Sequence, residues 1–263
     1  MTNPPRPRIQ ILESRPALGM AAARRFQRLI AECLERQPRC RVIFGCAPSQ
    51  DEFFSALVRE ATQQPELWRQ VEVFHMDEYV GLPALSPENF RSYLRDHFLA
   101  HVATGPRHLI EGEAADPVAE AARYAGLIAG APIDIIAMGI GENGHVAFND
   151  PPVADFADPV LVKVVELDEV CRQQQVNDDC FPALAEVPRS AITITVPVFM
   201  SAARLCAVVP GSRKAAAVRA ALLGPIGPGC PATIMRQHSQ AELFLEPESA
   251  ALYLKDTKAP PAN

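Results

Sequence analysis

No stretch of the 263 residues approaches the roughly 20 uninterrupted apolar positions that a membrane helix requires, so no such span is expected. Residues Met1 to Pro16 carry prolines and charges where an export signal would need an apolar centre, and the chain is expected in the cytoplasm. A basic excess is also missing: 25 Lys and Arg face 31 Asp and Glu, a formal charge of −6. Nucleic acid and membrane surfaces are therefore not expected partners, whereas a small anion needs only a few local cations. The seven cysteines form an odd set with no C-x-x-C pair and no histidine at metal-ligand spacing. They read as reduced, buried small hydrophobes rather than zinc ligands or a disulfide framework. Internal repeats, low-complexity tracts and linkers are absent too, so residues 1–263 read as one domain.

What the chain does have is alternation. A helical pattern from Ala17 to Arg36 leads into an apolar strand at Arg41–Gly45, then Ser49-Gln-Asp-Glu52 reads as a capping box for a helix to Glu60. Strand Val71–Met76 precedes a helix to Leu99 that Ser86-Pro87 would start, and Asp116-Pro117 would start another to Ile128. The nearly unbroken run Ile133–Met138 looks like a strand covered on both faces. Further strands are expected at Ala191–Val196, Leu205–Val209 and Ala241–Leu245, with a helix from Lys214 to Leu223 stopped by Gly224. Such alternation implies right-handed βαβ units and a mostly parallel α/β sheet with helices on both faces. Ligands of that architecture bind beyond the carboxyl ends of the strands.

Two strand ends carry chemistry. Gly139-Ile-Gly141-Glu-Asn143-Gly144-His145-Val-Ala-Phe-Asn-Asp150-Pro-Pro contains a G-x-G-x-x-G after a strand. A dinucleotide fingerprint would need a helix opening at the third glycine, and the two prolines forbid one of any length. The glycines instead suit a tight turn that brings His145 and Asp150 toward one cleft. At the other end, Asp77 and Glu78 follow an apolar strand, where a desolvated carboxylate could serve in proton transfer or simply cap a turn.

Met76-Asp-Glu-Tyr-Val-Gly-Leu-Pro83 and Gly139 to Pro151 together resemble the glucosamine-6-phosphate deaminase/isomerase family, within the superfamily that includes the 6-phosphogluconolactonases. Val209-Pro-Gly-Ser-Arg-Lys214 resembles it more weakly. The resemblance implies a Rossmann-like three-layer α/β sandwich and a reaction without metal or cofactor on an amino sugar or its phosphate. It implies Asp77 as the base moving a proton from C2 to C1, His145 acting at the ring oxygen, and Asn143 and Asp150 orienting that histidine. Ser49, Glu78, Gly141, Gly144, Arg172 and Lys214 are the expected substrate contacts. Either a homo-oligomer or a monomer is compatible with the resemblance.

Several positions depart from the family pattern. Asn143 and Asp150 stand where Asp and Glu are commoner, and the phosphate-cradling loop is replaced by Gly45-Cys-Ala-Pro-Ser-Gln-Asp51-Glu52, two carboxylates where an anion should sit. Gln175 takes the place of an expected arginine, and the family's allosteric sugar-phosphate site is only weakly matched, the resemblance offering Lys163 as its remnant. A lactonase of the same superfamily shares the Gly-His, but the Ala-Phe-Asn-Asp-Pro that follows favours the deaminase. A non-catalytic sugar sensor would lose Asp77 and His145, and both are retained.

Overall fold

The computed structural model describes residues 7–258. In chain order the elements are β1 (Arg8–Ile11), α1 (Arg15–Leu34), β2 (Cys40–Phe44), α2 (Asp51–Thr62), α3 (Pro65–Trp68), β3 (Val71–His75), β4 (Asp77–Tyr79) and α4 (Phe90–Leu94). There follow β5 (Arg107–His108), α5 (Pro117–Ala129), β6 (Ile135–Met138), β7 (Val162–Glu166), α6 (Glu169–Asn177) and β8 (Ser190–Ile194). The chain continues through α7 (Val196–Ser201), β9 (Arg204–Val208), α8 (Ala215–Leu223), β10 (Ala241–Leu245) and α9 (Ala251–Lys258).

Seven strands form an entirely parallel sheet in the order β1-β10-β9-β6-β2-β3-β5. Its central strands have no polar face because both faces are covered. Along β2, Val42 and Phe44 pack on one side with Phe26 of α1 and Phe53 and Phe54 of α2. Ile43 points to the other side, with Ile136, Leu243, Tyr124 of α5 and Val218 of α8. The Phe44 ring lies 5.3 Å from Phe26 and 5.5 Å from Phe54, so the aromatic residues of one helical layer lock directly onto the sheet. Helix, sheet and helix make the three layers expected of the alternating pattern.

From β2 the chain builds toward β3 and β5 on one side, then returns to place β6, β9 and β10 on the other. The connections after β2 and β6 therefore diverge and open a crevice at their carboxyl ends. A second sheet, β4-β8-β7, is antiparallel and stands beside that crevice. Met76 alone separates β3 from β4: its N–H donates to Phe44 and its carbonyl accepts from Ile194, so one residue passes the chain from the large sheet to the small one.

Two helix starts differ from the sequence expectation. The Ser49 hydroxyl accepts from the Gln50 side-chain amide and Glu52 pairs with Arg15, so no capping box forms, and α2 begins at Asp51 after a single tight turn. Ser86 bonds Glu88 rather than a helix amide; α4 starts at Phe90 and runs into a π-helical turn over Arg95–Leu99. Asp116, by contrast, caps α5 as expected, accepting from Val118 and Ala119. No helix among the described residues is long and apolar enough to cross a membrane.

Candidate functional site

The crevice between β2 and β6 is a half-open cleft that spans about 550 Å³ with the solvent at its mouth included. Gly45 to Ala47, Ser49 and Gln50 line it after β2, Met76 and Asp77 after β3, Gly139 to Gly141 and His145 after β6, and Lys214 after β9. Gln174 and Gln175 of α6 close one wall. A second groove of about 690 Å³ adjoins it and shares Ser49 and Lys214.

The segment after β6 is a compact double turn. Gly141 N–H donates to the His145 carbonyl and Gly144 N–H to the Gly141 carbonyl, each at 3.0 Å, while Asn149 anchors the far end through Val146 and Ile194. Gly144 holds φ +86°, and a Cβ there would meet Cys230 Sγ at 2.5 Å. Gly141 lets the imidazole lie flat on its backbone: a Cβ there would sit 2.2 Å from the ring of His145. Ala147, on the cleft wall, is held at φ +47°, a left-handed conformation costly for a residue with a side chain.

His145 Nδ1 lies 2.9 Å from Asp150 Oδ1. Asn143 Nδ2 donates to the same oxygen at 2.8 Å, and Asn143 Oδ1 accepts from the His145 backbone N–H at 3.0 Å. Histidine, carboxylate and amide thus form one unit. Burial opposes ionisation of Asp150, but contact with His145 and Asn143 outweighs it and holds the carboxyl below its ordinary value. Asp77 has no such partner. Burial, Glu78 and Asp150 all push its carboxyl well above the usual range, in that order of weight. Two carboxylates in one site are thereby driven apart in acidity, the arrangement that separates a proton-transferring group from a charge-stabilising one. Across the cleft, Lys214 is buried, and desolvation lowers its ammonium below the ordinary value.

Asp77, Asn143, His145 and Asp150 are brought together, with Ser49, Gly141 and Lys214 on the cleft wall. Glu78, Gly144 and Arg172 lie elsewhere. Glu78 is fully buried and turned away: its oxygens accept from the backbone amides of Tyr79, Phe90 and Arg91 at 2.9–3.0 Å. It therefore caps α4 across a gap in sequence, which explains why that helix starts where it does. Gly144 faces Cys230 rather than the cleft, and its carbonyl accepts from Ala232. Arg172 spends its guanidinium on the carbonyls of Leu184 and Val187, stapling α6 to the following segment. Lys163 is likewise occupied, by Asp158 at 2.8 Å and the Val153 carbonyl.

The carboxylates expected to oppose an anion do not face it. Asp51 accepts from the Tyr93 hydroxyl at 2.6 Å and Glu52 pairs with Arg15 at 2.9 Å, both outside the crevice. Sequence reasoning missed Gln50 and Gln174. Gln50 donates to the Val208 carbonyl at 3.0 Å, binding the β2 loop to the end of β9. Gln174 accepts from the Glu142 amide at 2.8 Å and so docks α6 on the histidine loop. Gln50 sits inside the Ser49–Glu52 stretch but at a position that a capping box leaves unspecified, and Gln174 lies in no motif. Among the described residues, two clusters bring three metal-ligating side chains within 4.8 Å: His145, Asp150 and Cys171 here, and Cys33, Cys40 and Asp134 elsewhere.

A buried carboxylate, a histidine–aspartate pair and one buried lysine at a topological switch point define an acid–base site for a small polar, anionic molecule. Residues 13–245 match the family described as glucosamine-6-phosphate isomerases/6-phosphogluconolactonase, and the chain belongs to that family. It is 34% identical over 190 residues to a glucosamine-6-phosphate deaminase of Exiguobacterium sibiricum, covering 72% of this chain and 73% of that one. It is 30% identical over 228 residues to glucosamine-6-phosphate deaminase 1 of Bacillus subtilis, covering 86% and 92%. The structure of a monomeric glucosamine-6-phosphate deaminase superposes with a TM-score of 0.84 at 29% identity, over 93% of this chain and 99% of that one. The 6-phosphogluconolactonase of Trypanosoma brucei shares the fold, with a TM-score of 0.73 at 17% identity over 94% and 98% of the chains.

Proposed function

We propose that the chain is a glucosamine-6-phosphate deaminase, an isomerase-type enzyme whose net reaction is hydrolytic. A 2-amino-2-deoxyhexose 6-phosphate and water yield a ketose phosphate and ammonia. His145, steadied by Asp150, exchanges a proton with the ring oxygen as the sugar opens, a task suited to imidazole. Asp77 takes the proton from C2 and returns it to C1, and the resulting imine at C2 is hydrolysed. Lys214 and the Ser49 turn hold the anionic end of the substrate in the part of the crevice that opens to the neighbouring groove.

The observation that carries this reading is the buried Asp77, without a side-chain partner, beside the Asp150–His145 contact in one cleft. A base that must take a weakly acidic C–H proton works best when its conjugate acid is not too strong, which desolvation supplies. Turning Asp51 and Glu52 outward removes the electrostatic objection to a phosphate. The test is a substrate panel: glucosamine 6-phosphate, galactosamine 6-phosphate, the two unphosphorylated amines and a 6-phosphogluconolactone. Ammonia release from an amino-sugar phosphate, weaker with the unphosphorylated amine, supports the proposal. Opening of the lactone with no ammonia from any amine overturns it.

A further inference from the structure

Cys33 and Cys40, read from the sequence as buried hydrophobes, are set side by side by the fold. Cys33 lies in the last turn of α1, Cys40 opens β2, and Asp134 directly precedes β6, the strand next to β2. Both sulfurs and a carboxylate oxygen of Asp134 lie within 4.8 Å of one another. Cys33 and Asp134 line a small surface cavity with Glu32, Arg36 and Arg204, while Cys40, fully buried, lies beneath. Since the strands are parallel and the catalytic crevice lies at their carboxyl ends, this cluster sits at the opposite end of the sheet.

The carboxylate is held in place before any ligand arrives. Gln37 Nε2 lies 3.0 Å from each Asp134 oxygen, and the Arg41 backbone N–H donates to Oδ2 at 2.7 Å. Such outer contacts fix a ligand's orientation. A dithiol has two obvious uses, a disulfide or a cation. An oriented carboxylate packed against the pair adds nothing to a disulfide, but it completes the donor set of a cation.

We propose that Cys33, Cys40 and Asp134 form a binding site for a soft divalent cation of the zinc class, with a water in the fourth position. Two sulfurs and one oxygen select zinc-like ions over calcium or magnesium, which prefer all-oxygen shells. Zinc bonds of about 2.3 Å to sulfur and about 2.0–2.2 Å to oxygen need donors somewhat closer than the observed limit, a change within reach of small side-chain rotations. Binding releases the two thiol protons to solvent, and the divalent ion with two thiolates and one carboxylate carries one net negative charge. Arg36 and Arg204 on the cavity rim offset it. Glu32, engaged by Arg25 at 3.1 Å, leaves the fourth position to water. The ion would staple the end of α1 to the starts of β2 and β6, and its effect would be on stability.

The test uses the full chain, freed of metal by chelation and titrated with Co²⁺. One equivalent should produce a thiolate-to-cobalt charge-transfer band with tetrahedral d–d absorption, and Zn²⁺ should abolish it by competition. Cys33→Ser and Cys40→Ser should lose the band, Cys171→Ser should keep it, and Zn²⁺ should raise the melting temperature of the wild type. If either serine variant fails to fold, protection of Cys33 from alkylation by Zn²⁺ in the wild type reads the same site. Absence of the band, its survival in both variants, its loss in Cys171→Ser, or a Cys33–Cys40 disulfide in glutathione buffer without metal uptake would overturn the proposal.

Discussion

Replacing Asp150 with Asn probes the link between the histidine and the base. The amide keeps the size of the side chain and can still accept from Asn143 Nδ2 through its oxygen, so the double turn should survive. What is lost is the negative charge 2.9 Å from His145 Nδ1. A hydrogen bond to a charged group is worth about 1.5–3 kcal/mol. If it is felt fully when the imidazole is protonated, kcat should fall roughly 10- to 150-fold. A second effect has the opposite character. Asp150 is one of the charges that raise the Asp77 carboxyl, so its removal lets Asp77 ionise at lower pH. The assay is ammonia release against pH, with circular dichroism to confirm folding. The expected profile is lower throughout, with its acid limb displaced toward lower pH. A folded variant with kcat within about twofold of wild type and an unmoved acid limb would mean that the Asp150 charge supports neither His145 nor the raised Asp77 carboxyl.

Gly141→Ala puts a methyl group 2.2 Å from the His145 ring and should abolish most activity by displacing the imidazole, measurable as a kcat loss in a protein that still melts cooperatively. Asp77→Asn should be more stable than wild type at neutral pH. The folded Asp77 binds its proton more tightly than the unfolded chain does, so stability is lost as pH rises from the ordinary carboxylate value through the raised one. The melting-temperature difference should therefore vanish near pH 3 and grow in favour of the variant as pH increases. Lys214→Met should raise KM for a phosphorylated substrate by roughly 10- to 150-fold with a smaller effect on kcat, as expected for loss of a charged contact. Its melting temperature should not fall, because the buried ammonium bears a desolvation cost.

The parallel sheet was legible because its strands are covered on both faces and read as unbroken apolar runs; Ile135–Met138 is the clearest case. The antiparallel sheet was not, since β4 has only three residues and its pairing with β8 depends on chain more than a hundred positions away. The juxtaposition of the candidate site residues was legible where one short motif supplies them, from Asn143 to Asp150. It failed where a partner is remote. Glu78 looked like a substrate contact because it adjoins Asp77, yet alternation along β4 sends it the other way, to the amides that open α4. Asp51 and Glu52 looked hostile to an anion because Tyr93 and Arg15, which turn them outward, are distant in sequence. Cys33, Cys40 and Asp134 match no spacing rule, because adjacent strands rather than a loop bring them together.

In the proposed reaction Asp77, as a buried base, moves the substrate's proton in an amine-releasing isomerisation. This role is tested most directly by the rate of ammonia release from glucosamine 6-phosphate by the wild type and by Asp77→Asn. The wild type should turn over and a fully folded variant should lose about 10²- to 10⁴-fold in kcat, the usual contribution of a positioned base. A folded Asp77→Asn protein that releases ammonia at the wild-type rate would contradict it.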